Sequence, residues 1–458
     1  LRCIVVRPVL PPPRAMAPLQ PLGLRLVSEF VGTYVLVFTV GSVFLSGHAL
    51  WGGVSHAIVL VVGTLALGRI SGANFNPAVS IALGASKAIG GGGQRLGPMG
   101  AYVCVQIVAG ILASLSYGAL MQRPLGMEPT RGASGLSRAC LVEMLYTCAY
   151  CFLVLNVGVA KDNSTNPFYG FVIGLVALMG TYSAAPVSGG CLNPAMAIGM
   201  DVGYSSGGVY YGLFYSLAEV LGALLAVLFF RLVRPEDFGR RKNDETAELV
   251  SEFLGSFVIV LTVGMSVLSQ SPVAGLPIIS SIVSMSLALF KVSGACFNPA
   301  MTVAFATSSR APSFTLARTA KYIIAELLGG GCAGFAYVGI SDGLFFSLCP
   351  TGNYVSASMA ECAFVFALCY IILSRSLARS AGWFAFATGA FMLIGGMLLS
   401  RISSGMMSPA ITFGMFCGEL YAKGFVFSSH STLAFGMMIP AQVLGSVLAG
   451  RICALTAK

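Results

Sequence analysis

One tripeptide recurs four times in this chain, and each copy keeps the same neighbours. Asn76-Pro77-Ala78, Asn193-Pro194-Ala195, Asn298-Pro299-Ala300 and the degenerate Ser408-Pro409-Ala410 each follow a glycine-containing lead. The leads are Ser71-Gly72-Ala73, Ser188-Gly189-Gly190, Ser293-Gly294-Ala295 and Ser404-Gly405-Met406. An acid lies 46 to 50 residues upstream of every copy: Glu29, Glu143, Glu252 and Glu361. Downstream stands a third marker, Gln106, Glu219, Glu326 and Gln442, with a glycine three or four residues later. Three markers in one register, four times over, define a duplication of a duplication.

Composition says what kind of chain carries this repeat. Charged residues make up 9% of the 458, against about 25% in an ordinary soluble domain. Apolar residues reach 56% and the mean hydropathy is +0.86. Such a surface cannot face water, which excludes a soluble enzyme, a disordered scaffold and a coiled coil and predicts a polytopic membrane protein. Apolar runs lie at about 26–46, 51–68, 99–121, 139–160, 167–186 and 209–230. Six more follow at about 249–269, 272–290, 322–340, 355–374, 381–400 and 432–450. Each quarter thus holds three spans. The number is odd, so successive quarters are inverted in the membrane.

Twelve spans put both termini and the charged linker, Arg231 to Glu248, on one side. Nineteen basic residues fall on that side: Arg2, Arg7, Arg14, Arg25, Lys87, Arg95, Lys161, Arg231, Arg234, Arg240, Arg241, Lys242, Arg310, Arg318, Lys321, Arg375, Arg379, Arg451 and Lys458. Four, Arg123, Arg131, Arg138 and Lys423, fall opposite, and Arg69, Lys291 and Arg401 sit beside the repeat motifs. The bias predicts termini and linker in the cytoplasm or its organellar equivalent. The first 28 residues hold four arginines and no acid, but they are Pro-rich and Ser-poor, which weighs against a transit peptide. Met16 is a candidate start.

Asn is a strong N-cap and Pro suits the first helical position, so each tripeptide predicts the start of a helix. The apolar stretches that follow are too short to span a membrane. Inverted quarters would bring two such half-helices together near the midplane, with the positive ends of their dipoles converging. The leads are then non-helical backbone at membrane depth, tolerated only inside protein or against a water-filled path. A buried carboxylate beside each lead either accepts hydrogen bonds from loop backbone or serves a proton relay. Four copies at constant distance favour the supporting role. Arg69, Lys291 and Arg401, each seven residues before a tripeptide, are candidates for positive vestibules or for hydrogen bonds to loop carbonyls.

With these motifs, the chain resembles two aquaporins (major intrinsic proteins) fused head to tail. Ser71-Gly72-Ala73-Asn74-Phe75-Asn76-Pro77-Ala78-Val79 and Ser293-Gly294-Ala295-Cys296-Phe297-Asn298-Pro299-Ala300 look like that family's first signature loop. The resemblance implies an all-α membrane protein of two units, each with six transmembrane helices and two re-entrant half-helices. The expected division is an N-terminal arm 1–23, unit 1 at 24–232, a charged linker 233–246 and unit 2 at 247–458. It also implies a filter on the non-cytoplasmic side of each pore. By spacing from the tripeptides, the filter positions fall on His56, Thr181, Gly190 and Met196 in unit 1, and on Ile278, Gly396, Gly405 and Ile411 in unit 2. The family usually carries Arg where Met196 and Ile411 stand, so both filters lack the cation. Ser408 is expected to cap its half-helix still.

Three functions are weighed. The first is a passive channel for water or small neutral solutes such as glycerol, urea and ammonia, with unit 1 the better conductor. The alternative is a non-conducting structural subunit of a larger membrane complex. The third, a proton-coupled carrier, needs the buried acids to titrate. Family resemblance implies four pores per assembly, here two chains, with lipid as the other partner and no nucleic acid. No cofactor is expected. No nucleophile set, phosphate loop or metal-ligand spacing supports an enzyme, and Asp162 and Asp201 stand alone in short loops. The 13 cysteines are scattered and read as small apolar packing residues.

Overall fold

The computed structural model describes residues 20–130, 135–163, 167–204, 210–240, 244–308, 314–350, 352–374, 377 and 380–456. Of the positions named above, Arg2, Arg7, Arg14, Met16, Arg131, Arg241, Lys242, Arg310, Arg375, Arg379 and Lys458 lie outside the described residues. All regular structure among the described residues is helical. The first half contains α1 Leu22–Leu45, α2 Gly52–Leu67, α3 Pro77–Ala88, α4 Leu96–Met121, α5 Leu136–Gly158, α6 Tyr169–Ser188, α7 Pro194–Gly203 and α8 Tyr210–Val233. The second half repeats the pattern with α9 Asp244–Leu268, α10 Gly275–Ser293, α11 Pro299–Thr307, α12 Leu316–Ile340, α13 Tyr354–Ile372, α14 Ala381–Leu399, α15 Pro409–Ala422 and α16 Ser429–Thr456.

Twelve of these helices are long and apolar enough to cross a membrane. The other four are α3, α7, α11 and α15, with 12, 10, 9 and 14 residues. At 1.5 Å per residue none reaches the roughly 30 Å of a hydrocarbon core. The fold is therefore two aquaporin-like units, each with six spans and two half-helices. Half-helices pack on spans through glycine: a Cβ on Gly199 of α7 would lie 2.5 Å from the Gly110 carbonyl of α4. Small residues at such contacts let backbones approach where lipid supplies no hydrophobic drive.

The two units dock along one seam. Helices α5 and α6 pack against α9, α10 and α12. At one end of the seam, Arg234 follows α8 and is almost completely buried. It donates to Asn156 Oδ1 (3.3 Å) and to the Ala288 carbonyl of unit 2 (3.2 Å). Burial pulls its guanidinium pKa down, and Asp162, Asp237 and Glu236 pull it back up. Asn163 Nδ2 also donates to Ala288 O (3.2 Å), and Arg138 pairs with Asp342.

The seam leaves equivalent helices unequally covered. In α9 and α10, 78% and 61% of the apolar window is buried, against 44% and 33% in their counterparts α1 and α2. Likewise α5 and α6 reach 78% and 67%, but α13 and α14 only 33% and 39%.

Candidate functional site

Each of the four loops ends in a left-handed residue. Phe75, Leu192, Phe297 and Met407 have φ of +50°, +53°, +51° and +48°. Outside glycine this conformation costs about 1–2 kcal/mol, so something must hold it. Two sets of hydrogen bonds do. On one side the backbone N–H groups reach the buried acid. Glu29 accepts from Asn74 N (3.0 Å) and Phe75 N (2.8 Å), and Glu143 from Cys191 N (3.1 Å) and Leu192 N (2.8 Å). Glu252 accepts from Cys296 N (3.1 Å) and Phe297 N (2.6 Å), and Glu361 from Met406 N (3.1 Å) and Met407 N (2.8 Å).

On the other side the carbonyls face the opposing half-helix. Asn76 Nδ2 donates to Leu192 O (2.8 Å) and Asn193 Nδ2 to Phe75 O (3.0 Å), a reciprocal pair. Each Asn also caps its helix: Asn76 Oδ1 accepts from Ala78 N (2.8 Å), and Asn193 Oδ1 from Ala195 N (3.0 Å). Pro77 and Pro194 take the first helical position, where a missing N–H costs nothing. The two half-helices of unit 1 are thus joined at their N-termini, tip to tip.

Unit 2 keeps one side of this cross. Asn298 caps Pro299–Thr307 through Ala300 N (3.0 Å) and donates to Met407 O (3.2 Å). Ser408 does not cap Pro409–Ala422, contrary to the sequence expectation: it makes no side-chain cap bond, and its buried hydroxyl has no partner. Its side chain is one atom shorter than Asn and falls short of both targets. Phe297 O instead accepts from Ser256 Oγ (3.1 Å), one turn after Glu252. Thr33 holds that place in unit 1, where Phe75 O accepts from Asn193 and the Thr33 hydroxyl has no partner. Sequence reading missed Ser256; the signal was a hydroxyl four residues after an acid.

The residues expected at the unit 1 filter lie near one another. His56 Nδ1 and Thr181 Oγ1 are 2.9 Å apart. Thr181, Gly190 and Met196 line a cavity of about 90 Å³ with Met127, Met200 and Cys191. Gly190 has φ +69°, and a Cβ there would stand 2.6 Å from the Thr181 carbonyl. In unit 2, Gly405 (φ +67°) would meet the Gly396 carbonyl at 2.5 Å, while Ile278 is half-buried on α10. Ile411 borders a cavity of about 10 Å³, room for one water centre, with Asn298, Ser408, Met301 and Met392.

Other readings change. Lys291 donates to the Asp162 carbonyl across the seam rather than standing in a vestibule. Asp162 also meets Arg234, and Asp201 lies inside α7, buried, accepting from Gly212 N; neither is alone. Arg69 and Arg401 are exposed beside their loops.

A profile of the Major intrinsic protein family matches residues 21–230, 131–287 and 239–382. The chain is 31% identical over 221 residues to "Glycerol uptake facilitator protein-like 6" of Lactiplantibacillus plantarum, covering 46% of this chain and 99% of that protein. It is 33% identical over 226 residues to "Aquaporin A" of Dictyostelium discoideum, covering 46% and 78%. With "Nodulin-26" of Glycine max it shares 31% over 228 residues, covering 46% and 79%. Each relative matches about half of a chain that carries the two-loop pattern twice over: this is a tandem aquaporin, and it belongs to the major intrinsic protein family.

Proposed function

We propose that unit 1 is a passive channel for water and small neutral solutes of the glycerol, urea and ammonia class. The single observation that carries this reading is the reciprocal bond pair of Asn76 and Asn193, with the polar His56–Thr181 contact above it. The four acids hold the loops, and the joined dipoles disfavour cations even without a filter Arg. Met196 in that place leaves an uncharged constriction suited to neutral solutes. The printed names of the relatives, a glycerol facilitator and aquaporins, point the same way.

Unit 2 is the poorer conductor, a half around a closed path. Its cavity beside Ser408 is confined to about 10 Å³, and Ile278, Gly396, Gly405 and Ile411 offer a passing solute no polar side chain. The division at 24–232 and 247–458 follows from this reading. The Lys/Arg bias supports termini and linker on the cytoplasmic or organelle-equivalent side. The exposed faces of α1 and α2 are the counterparts of surfaces that unit 2 already uses, and those of α13 and α14 the counterparts of surfaces used by unit 1. Two chains therefore close a ring of four units, with lipid around it.

The test is stopped-flow light scattering on proteoliposomes with water and glycerol. Thr181→Phe should abolish flux, because the ring enters the 90 Å³ cavity; Ile278→Trp should leave it unchanged. Folded wild type no faster than empty vesicles would overturn the channel reading. Gly190→Trp is a poor plug, since any side chain there displaces the loop first.

A further inference from the structure

Three residues far apart in sequence meet beside the unit 1 loop. Glu143 on α5, Cys191 two residues before Asn193, and Glu219 on α8 each place a ligand atom within 4.8 Å of the others. We propose that this trio is a metal site for a borderline divalent cation of the Zn²⁺ type.

The donor set selects that class. Two carboxylates and a thiolate, all buried, suit Zn²⁺, which takes O, N and S ligands in a compact four-coordinate shell. Ca²⁺ needs six to eight oxygens and Mg²⁺ keeps several waters, and this cluster supplies neither. Binding converts the Cys191 thiol to thiolate and also displaces the proton shared by the facing Glu143 and Glu219 carboxyls, so two protons go to solvent and charge and atoms balance.

One orphaned atom lies in the cluster, and a second on the same helix face. Glu219 Oε2 is buried and receives no donor among the described residues other than the facing Glu143 carboxyl. The Tyr215 hydroxyl, one turn earlier on the same face of α8, is buried without a partner too, within electrostatic reach of Cys191 and Glu143. A cation among the three ligands gives Glu219 Oε2 a partner and leaves the fourth position of the shell to water.

The surroundings are those of a held ligand set. Glu143 is oriented by Ser188 Oγ and by the backbone N–H groups of Cys191 and Leu192. Glu219 receives the Asn193 N–H and the Cys191 thiol, the latter at 3.4 Å. Partners of this kind fix carboxylate ligands in metal sites. Ser188 and Cys191 also line the 90 Å³ mouth cavity, which supplies an entry path.

The chain contains its own comparison. In the first and fourth quarters a glutamine stands where Glu219 does, and its amide satisfies the acid directly: Gln106 to Glu29 at 2.8 Å, Gln442 to Glu361 at 2.9 Å. Those quarters carry Asn74 and Met406 in place of Cys191. The thiol thus accompanies the second acid and is missing where an amide suffices. The third quarter repeats the residue types as Glu252, Cys296 and Glu326, and Glu326 Oε2 is orphaned there too, but among the described residues only the unit 1 ligand atoms converge within 4.8 Å, so the unit 1 trio is the one we assign. A cation there ties α5, α8 and the loop below the filter into one rigid corner.

The experiment uses the purified full chain in detergent, equilibrated with Zn²⁺ and freed of unbound ion by gel filtration. Metal per protein is read by plasma mass spectrometry, and Co²⁺ is used in parallel for its thiolate charge-transfer band. Wild type should hold about one Zn²⁺ more than either Cys191→Ser or Glu219→Gln, and Cys191→Ser should lose the Co²⁺ band. Glu219→Gln copies the arrangement at Gln106 and Gln442, so it keeps the fold and decides the matter if Cys191→Ser does not. No retained metal in wild type, or equal metal in wild type and folded variants, would overturn the assignment.

Discussion

Replacing Glu29 by Gln removes one acceptor oxygen from a loop that uses both. Oε1 takes Asn74 N at 3.0 Å, and Oε2 takes Phe75 N and Gln106 Nε2, both at 2.8 Å. The new amide nitrogen must face at least one backbone N–H that has no other acceptor, at about 1–3 kcal/mol. Losing charge assistance on the remaining bonds adds about 1 kcal/mol. The sum is roughly 2–4 kcal/mol, against a typical net stability of about 5–15 kcal/mol. For a unit of this size that lowers Tm by roughly 5–15 °C. Glu29→Ala orphans both backbone donors, about 2–6 kcal/mol, leaves Gln106 Nε2 with Ser80 Oγ alone, and leaves the αL strain of Phe75 unopposed. The assay is thermal unfolding in detergent, followed by fluorescence-detected gel filtration, with Glu29→Gln and Glu29→Ala beside wild type. The expected order is wild type, then Gln, then Ala with little folded protein recovered. A Glu29→Ala variant melting within about 2 °C of wild type would refute the reasoning, because the loop would then need no carboxylate.

Two further outcomes follow from the same geometry. Ser256→Ala should destabilise the protein by about 1 kcal/mol, since Phe297 O loses its donor, while Thr33→Ala at the matching place should cost less, since Phe75 O keeps Asn193; paired melting curves compare them. Wild type should run in light scattering as two chains of 47.5 kDa, and Met359→Arg, on the exposed face of α13, should run as one; a single-chain wild type would refute the ring.

What the sequence made legible was local or periodic. Asn76 and Pro77 announce a helix start through their own chemistry, and the acids are visible because 46 to 50 residues always separate them from the tripeptide. Bonds that join distant segments left no such trace. Nothing in the spacing of Asn76 indicates that its amide meets Leu192 O, or that Lys291 reaches Asp162 across the seam. Ser408 misled for a steric reason: a serine usually caps as well as an asparagine, but here the extended backbone leaves its shorter side chain without a target. Glu219 and Glu326 read as mere repeat markers, because only packing sets each beside a second acid.

The tip-to-tip bonds of unit 1 also impose an order on synthesis. Asn76 lies 116 residues before Leu192, and Phe75 lies 118 before Asn193. A ribosome adding roughly 5–20 residues per second needs about 6–24 s to cover that stretch. Throughout that interval the first loop sits at membrane depth with its amide and carbonyl unmatched. Its early contact is Glu29, 46 residues before Phe75 and itself held by Gln106, and both arrive with the first three spans. The buried acid thus acts first as a placeholder, keeping half a pore in shape in the translocon until the other half is made.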